Sequence, residues 1–182
     1  MEKLKQMTEI KTLFSKEDLQ KRIAQLGEEL NEYYKNADEL VVICVLKGAS
    51  MFFVDLVKEL KIPVKYEFIK LSSYGNEQKS SHAFREISMN ISDLTNKNVL
   101  LVEDIVDSGF TLAFLNKYFQ KKYQMKSYKT IALLNKSIAR DKDCNIDADF
   151  YGFEVDDKFV LGYGLDYEGL YRNLDYIGYF EN

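Results

Sequence analysis

The chain has 182 residues, of which 46% are hydrophobic and 30% charged, and a formal net charge of −4 at pH 7. One proline and nine glycines exclude collagen-like and low-complexity proteins, and the apolar content excludes a disordered chain. The acidic balance argues against a nucleic-acid partner, and the apolar runs are far shorter than the ~18 residues of a membrane-spanning helix.

The first half of the chain begins with a predicted amphipathic helix. Ser15 and Asp18 have the spacing of a capping box, and apolar residues then recur every three or four positions from Leu19 to Tyr33. The continuous apolar run Leu40 to Leu46 predicts a strand that is buried on both faces. Helical spacing from Met51 to Leu60 predicts a helix after it.

The next segment predicts a long hairpin. Apolar and charged residues alternate from Val64 to Lys70 after Pro63, which indicates a second strand, less buried than the first. The polar stretch Ser72 to Ser81 is typical of an exposed, flexible loop, and the alternation from Ile87 to Ile91 indicates a returning strand.

The second half predicts an α/β fold. A buried strand at Val99 to Val102 precedes a helix at Thr111 to Tyr123, and a further strand covers Thr130 to Leu134. Shorter strands are predicted at Phe150 to Phe153 and Phe159 to Leu161. Such alternation predicts a mainly parallel sheet flanked by helices, with ligands at the carboxyl ends of its strands. We expect a single domain over residues 1–182, because no linker-like segment or internal repeat interrupts the pattern.

The two cysteines predict a reducing environment. Cys44 and Cys144 lie far apart in the sequence without a Cys-x-x-Cys motif or a neighbouring histidine, which argues against a disulfide framework or a zinc site. The start of the chain, Met1 to Lys16, has no secretory h-region. We therefore expect a cytoplasmic protein.

The segment after Val99 carries the clearest chemical signal. The acids Glu103, Asp104 and Asp107 precede a turn that opens a helix, and this turn consists of Ser108, Gly109, Phe110 and Thr111. Each residue alone is ordinary near a helix start. Together, free amides at a helix N-terminus form a phosphate site, yet a carboxylate repels phosphate by about 4 kcal/mol at ~4 Å and an effective dielectric of about 20. A phosphorylated sugar resolves the conflict, because its hydroxyls donate to the acids while its phosphate binds the amides.

Leu101 to Thr111 resembles the 5-phosphoribosyl-1-pyrophosphate (PRPP) motif of type I phosphoribosyltransferases. The order of the remaining motifs, from about Ile10 to Phe180, is similar to the hypoxanthine-guanine branch of that family. The resemblance implies the type I phosphoribosyltransferase fold, with a small hood and a flexible lid hairpin over the parallel sheet. It also implies a homodimer or homotetramer.

The resemblance assigns roles to several loops in the first two-thirds of the chain. Lys47 and Gly48 match the loop that holds pyrophosphate, in which the family has a non-proline cis peptide; without the family they would be a plain turn. Ser73 and Tyr74 match the lid that closes over PRPP. Lys136 matches the lysine that donates to the 6-oxo oxygen of the purine, which disfavours adenine because its 6-amino group is itself a donor.

Further roles fall on the C-terminal segment. By resemblance, Phe159 stacks on the base and Val160 contacts its edge through the backbone. Asp166 helps to hold magnesium on the pyrophosphate, which Arg172 grips bidentately. From composition alone, Phe159 and Val160 are ordinary core residues of a strand.

Three positions depart from the family pattern. Phe110 lies in the phosphate turn where some relatives have lysine, so the 5′-phosphate depends on amides, Ser108 and Thr111. His82 and Phe84 occupy positions where bacterial relatives commonly have smaller or differently charged residues, and a solvent-exposed histidine in the lid is the simple interpretation of His82.

The resemblance implies a purine-salvage enzyme that transfers the 5-phosphoribosyl group from PRPP to hypoxanthine or guanine, giving IMP or GMP and pyrophosphate. Asp107 and Lys136 are the implied catalytic residues, and Glu103, Asp104 and Asp166 the implied ligands of Mg²⁺. Asp107 would take the proton from the imidazole edge of the purine. Two alternatives stay open: a PRPP-binding regulator of nucleotide metabolism, and a phosphoribosyltransferase that prefers xanthine. A regulator of this kind needs a basic surface or an added DNA-binding domain.

Overall fold

The computed structural model of the protein describes residues 9–73, 84–89, 91–142, 144 and 146–181. Its helices are α1 (Lys16–Tyr33), α2 (Ser50–Glu59) and α3 (Phe110–Lys122), and a short 3-10 turn covers Ser137–Ala139. The strands are β1 (Ile10–Phe14), β2 (Leu40–Leu46), β3 (Val64–Ser73), β4 (Phe84–Met89), β5 (Asn98–Val106), β6 (Ser127–Asn135), β7 (Phe150–Glu154), β8 (Val160–Leu161) and β9 (Ile177–Phe180). Among the described helices, none is both long and apolar enough to cross a membrane.

The main sheet has the strand order β4-β3-β2-β5-β6-β7. Its pairings are parallel except that of β4, which runs antiparallel to β3. The chain leaves β2 for β3 on one side and later crosses to β5 on the other. The order therefore reverses between β2 and β5, and ligands of open α/β sheets bind beside such a point.

Helices cover both faces of the main sheet, as predicted. Residues of β5 alternate between two core clusters: Leu100 and Val102 pack with α1 and α2, whereas Val99 and Leu101 pack with α3. The continuous apolar run of β2 is buried on both faces for the same reason. β3 is more exposed than β2, also as predicted. Cys44 and Cys144 are free and buried.

The carboxyl edge of the main sheet opens between β2 and β5. Their pairing ends at Cys44 and Val102, while β5 stays paired with β6 as far as Val106 and Asn135. The predicted strand at Val99 to Val102 is therefore too short. Glu103 and Asp104 lie within β5 rather than in a turn after it, because β6 continues to supply backbone partners.

A second, antiparallel sheet has the order β1-β9-β8 and forms the small hood that the resemblance implies. Sequence analysis did not predict β1 or β9. They are short, and they pair across most of the chain, with Ile10 opposite Phe180. Local patterning does not report such a distant pairing.

The predicted hairpin is present as far as the structure describes it. β3 and β4 pair antiparallel, with Ile69 opposite Met89 and Ser73 opposite Phe84. Tyr74 and His82 lie outside the described residues, so the roles suggested for them stay predictions.

Candidate active site

Three segments meet very closely at the open carboxyl edge. The peptide bond between Leu46 and Lys47 is cis, which agrees with the resemblance, and Lys47 itself is exposed. A Cβ on Gly48 would lie 1.5 Å from Oδ2 of Asp104. A Cβ on Gly164, whose φ is +101°, would lie 2.1 Å from the carbonyl oxygen of Gly48. Glycine is therefore required at both positions for the loop after β2 to touch β5 and the hood.

Two adjacent acids of β5 lie beside this loop, Glu103 buried and Asp104 half-buried. Glu103 is 5% exposed, and its Oε1 has no hydrogen-bond partner among the described residues. Burial raises the pKa of Glu103 well above its usual value, and the neighbouring Asp104 raises it further. A buried carboxyl oxygen without a partner is costly for a fold unless a ligand donor or a cation binds it.

Asp104 is less isolated than Glu103. Its Oδ1 accepts a hydrogen bond of 2.8 Å from the amide of Ile105. Burial raises the pKa of Asp104, although the Ile105 amide and the positive charge of Arg172 act in the opposite direction. Arg172 lies in the segment between β8 and β9, and its charge favours the ionised form of Asp104.

The predicted phosphate turn leads directly into α3. Gly109 has a φ of +90° and precedes Phe110, the first residue of α3, so the turn delivers backbone amides to the N-terminus of this helix. A cavity of about 210 Å³ lies against the turn and the acids. It is lined by Glu103, Asp104, Ile105, Val106, Asp107, Ser108, Gly109, Thr111 and Leu112.

A second cavity of about 180 Å³ adjoins the first. It is lined by Asp104, Ile105, Asp107, Lys136, Lys158, Phe159, Val160, Leu165 and Asp166. The cavities share Asp104, Ile105 and Asp107, so a ligand could extend from one into the other.

The side chains around the second cavity differ in exposure. Lys136 is buried, and its Nζ lies 2.9 Å from Oδ1 of Asp157 and 3.9 Å from Oδ1 of Asp107. Phe159 is 60% exposed and meets the ring of Tyr167 edge to face, with centroids 5.7 Å apart. Val160 is buried. Phe159 is thus not an ordinary core residue, and its ring is open to a planar ligand.

Asp166 and Arg172 already contact each other. Arg172 Nη2 lies 2.5 Å from Oδ1 of Asp166, and its Nη1 donates to the carbonyl oxygen of Gly164 at 2.6 Å. The amide of Gly169 donates to Oδ2 of Asp166 at 2.8 Å. Any metal or pyrophosphate that these two side chains bind would have to share or replace the ion pair.

The structure brings most of the predicted site residues to one edge of the sheet, but sequence analysis missed two that belong there. Asp157 forms the ion pair with Lys136, and Arg140 lies between the ends of β5 and β6 with a side chain 8% exposed. Charged residues after a strand are usually solvated, so neither position carried a recognisable signal.

The chain is similar to known proteins over most of its length. Residues 9–168 match the family model described as phosphoribosyl transferase domain. The hypoxanthine-guanine phosphoribosyltransferase of Bacillus subtilis (strain 168) is 44% identical over 92% of this chain and 91% of its own. The hypoxanthine phosphoribosyltransferase of Haemophilus influenzae is 37% identical, covering 93% of this chain and 94% of its own.

A solved structure shows the same similarity in three dimensions. A hypoxanthine-guanine phosphoribosyltransferase from Bacillus anthracis, with a HEPES molecule in the active site, superposes with a TM-score of 0.86 at 38% identity. The match covers 95% of this chain and 100% of that one. The chain therefore belongs to the phosphoribosyl transferase family and, within it, to the hypoxanthine-guanine phosphoribosyltransferases.

Proposed function

We propose that the protein is a purine-salvage enzyme that transfers the 5-phosphoribosyl group from PRPP to hypoxanthine or guanine, releasing pyrophosphate. The observation that carries this function is the pair of adjoining cavities at the carboxyl end of β5. One joins the acids of β5, of which Glu103 is buried, to the amides at the start of α3, and the other joins Lys136 to an exposed aromatic ring. Their chemistry matches a sugar phosphate and a 6-oxopurine.

PRPP would occupy the first cavity and the loop beside it. The amides from Ser108 to Thr111, with the positive end of the α3 dipole, bind the 5′-phosphate. Glu103 and Asp104 accept hydrogen bonds from the ribose hydroxyls. The backbone of Gly48, which follows Lys47, lies against Asp104, which supports a pyrophosphate site formed by this loop and Arg172. Ser73 and Tyr74 would belong to the lid over it.

The purine would occupy the second cavity. The ammonium of Lys136 donates to the 6-oxo oxygen, and Phe159 stacks on the ring while the Val160 backbone contacts its edge. Adenine presents an amino group at that position, which would leave two donors facing each other. The buried lysine therefore selects 6-oxopurines.

Asp107 lines both cavities, and the new bond would form where they meet. The purine nitrogen bonds to the anomeric carbon, the carbon–oxygen bond to pyrophosphate breaks, and Asp107 takes the imidazole proton. Pyrophosphate leaves with both electrons of the broken bond, and Lys47 and Arg172 stabilise its negative charge.

The acids fit a magnesium ion as part of this site. No group of three or more metal-ligating side chains occurs among the described residues, and magnesium commonly binds one or two carboxylates together with substrate phosphates. Glu103 Oε1, which has no other partner in the described part of the chain, supplies the hard oxygen that Mg²⁺ prefers, with Asp104 and Asp166 nearby. When bound, magnesium would neutralise charge on the pyrophosphate.

A homodimer or homotetramer is part of the proposal. Tyr66 and Phe68 lie on one face of β3, 60% and 43% exposed, and both rings contact Phe53 edge to face. We name this pair the β3 aromatic patch. Exposed aromatic pairs of this kind are enriched at subunit interfaces.

The proposal also includes a cytoplasmic location and a single domain. The free thiols support a cytoplasmic enzyme. The family match over residues 9–168 supports a single domain.

The proposal is tested by supplying the purified protein with PRPP, Mg²⁺ and one base at a time, and detecting nucleotide by chromatography. We expect IMP from hypoxanthine and GMP from guanine, with no AMP from adenine. Nucleotide from xanthine alone would favour the xanthine-preferring alternative. PRPP binding without nucleotide from any base would favour a regulator.

A further inference from the structure

Arg140 lies at the carboxyl ends of β5 and β6 with a side chain 8% exposed. Its Nη1 donates to the carbonyl oxygen of Val106 at 2.6 Å and also to that of Asp107, with a longer contact of 3.3 Å to the carbonyl oxygen of Lys136. One guanidinium therefore touches the backbone of both strands at their ends.

The other donors of Arg140 are also engaged. Nη2 donates to the side-chain oxygen of Asn135 and, at 2.8 Å, to Oδ1 of Asp147, and Nε donates to the same Asp147 oxygen at 3.2 Å. All three nitrogens of the guanidinium donate to protein oxygens. The side chain therefore has no N–H group left to bind substrate. Its function must be exercised through the residues that it holds.

Arg140 acts where the strand ladder ends. β5 and β6 are paired as far as Val106 opposite Asn135, and the amide of Lys136 donates to Val106 at 2.9 Å just beyond. Lys136 and Asp107 are the next residues on each strand. Arg140 thus contacts the backbone of both residues directly where regular pairing stops.

The segment around Lys136 is held from its other side by Glu154. The amide group of Asn135 donates to Oε2 of Glu154 at 2.7 Å, and the backbone amide of Ser137 donates to Oε1 at 2.9 Å. Asn135 therefore connects Arg140 to Glu154. Lys136 lies between Asn135 and Ser137, both of which donate hydrogen bonds to Glu154.

We propose that Arg140 is a positioning residue that sets the distance between Asp107 and Lys136, whose charged groups lie 3.9 Å apart. This inference rests on the proposed function, in which Lys136 binds the purine oxygen and Asp107 takes the purine proton. Both residues line the second cavity. Loss of Arg140 therefore lowers the rate of reaction with the purine base far more than it weakens the binding of PRPP.

The test compares R140K and R140Q with wild type by steady-state kinetics, varying hypoxanthine and PRPP in turn. A misplacement of about 1 Å costs on the order of 10²-fold in rate, so we expect a loss of that order in kcat/KM for hypoxanthine. The dissociation constant of PRPP, measured by calorimetry, stays within about twofold of wild type, because Arg140 bonds to the carbonyl oxygens of Val106 and Asp107 and not to the turn amides that bind the phosphate. Lysine does not rescue, because a single ammonium cannot span the carbonyls of both strands.

The matched control is D147N. Asp147 is 57% exposed and accepts from Nε and Nη2 of Arg140, whereas Nη1 donates to Val106, Asp107 and Lys136. Its replacement therefore leaves these three backbone bonds in place. We expect nearly wild-type kinetics. Thermal unfolding of each variant is followed by circular dichroism, and R140K serves as the test variant if R140Q does not fold.

Two results would overturn the inference. One is kcat/KM for hypoxanthine within twofold of wild type in both Arg140 variants. The other is an equal loss for hypoxanthine and PRPP together with a lowered melting temperature, which indicates a structural role only. A wild-type protein that makes no nucleotide would instead refute the proposed function, and this inference with it.

Discussion

Gly48 shows at the scale of single residues how little room the site contains. Its missing side chain allows the loop after β2 to lie against Asp104, since a Cβ would fall 1.5 Å from Oδ2 of that acid. This loop is the one proposed to bind pyrophosphate. The contact between Gly48 and Asp104 explains why a glycine follows Lys47.

Replacing Gly48 by alanine is expected to raise the KM for PRPP on the order of tenfold or more, because the loop or Asp104 must move. Kinetics with PRPP as the varied substrate measure the effect. G27A is the control: its Cβ would crowd Glu59 Cβ at 2.4 Å between α1 and α2. It should lower stability without changing this KM. An unchanged KM in G48A would contradict the contact.

Asp107 carries the proton transfer in the proposed reaction. We expect D107N to lose on the order of 10²- to 10⁴-fold in turnover, while PRPP binding, measured by calorimetry, is retained. The exposed Asp156 provides the control variant D156N, which should turn over normally. Near-normal turnover of D107N would refute the assignment of Asp107 as the base.

Among the secondary-structure elements, α1 begins at a position that two residues close together in the sequence determine. Ser15 Oγ accepts from the Asp18 amide at 3.1 Å, and the Ser15 amide donates to Oδ2 of Asp18 at 3.0 Å. This reciprocal capping box was predicted from the spacing of the two residues, because all of its partners lie within one turn.

Ser15→Ala is expected to lower the free energy of unfolding by about 1 kcal/mol at pH 7, the usual cost of losing an N-cap. The hydrogen bonds from Ser15 lower the pKa of Asp18. The stabilisation linked to Asp18 is therefore complete above its unfolded pKa and is lost as pH falls through the lower folded pKa. Urea unfolding at pH 7 and in acid should show the gap between S15A and wild type shrinking. Equal stability at pH 7 would exclude the cap as a contributor.

The length of β5 depends on its pairing with the neighbouring strand β6. Its apolar pattern predicted a strand only to Val102, yet pairing with β6 extends it to Val106. Glu103 and Asp104 consequently have strand geometry, with Glu103 buried and Asp104 against Gly48. Charged residues inside a buried strand oppose the local pattern, and such exceptions are typical of functional sites.

The β3 aromatic patch is the surface of the whole molecule that we propose for assembly. Tyr66 and Phe68 are exposed although they lie over the buried ring of Phe53. In an oligomer a second copy would cover them, which removes apolar surface from water.

Phe68→Glu is therefore expected to shift the protein from dimer or tetramer towards monomer, because burying a new charge opposes association. Sedimentation velocity over a range of concentrations measures the change. I138E is the control, since Ile138 is 64% exposed and lies away from the patch, after β6. An F68E protein that sediments as wild type does would exclude the patch from the interface.

The amino-acid sequence by itself determined the α/β class, the buried strand β2, the first part of β5, the cap of α1 and the turn that opens α3. Each depends on neighbours in the sequence, whose spacing already expresses burial or capping. Only the tertiary structure decided the pairing of β1 with β9, the approach of Gly48 to Asp104, and the contacts of Arg140 with two strand ends. These contacts join residues that are distant along the chain, and local patterning carries no information about which distant groups will meet.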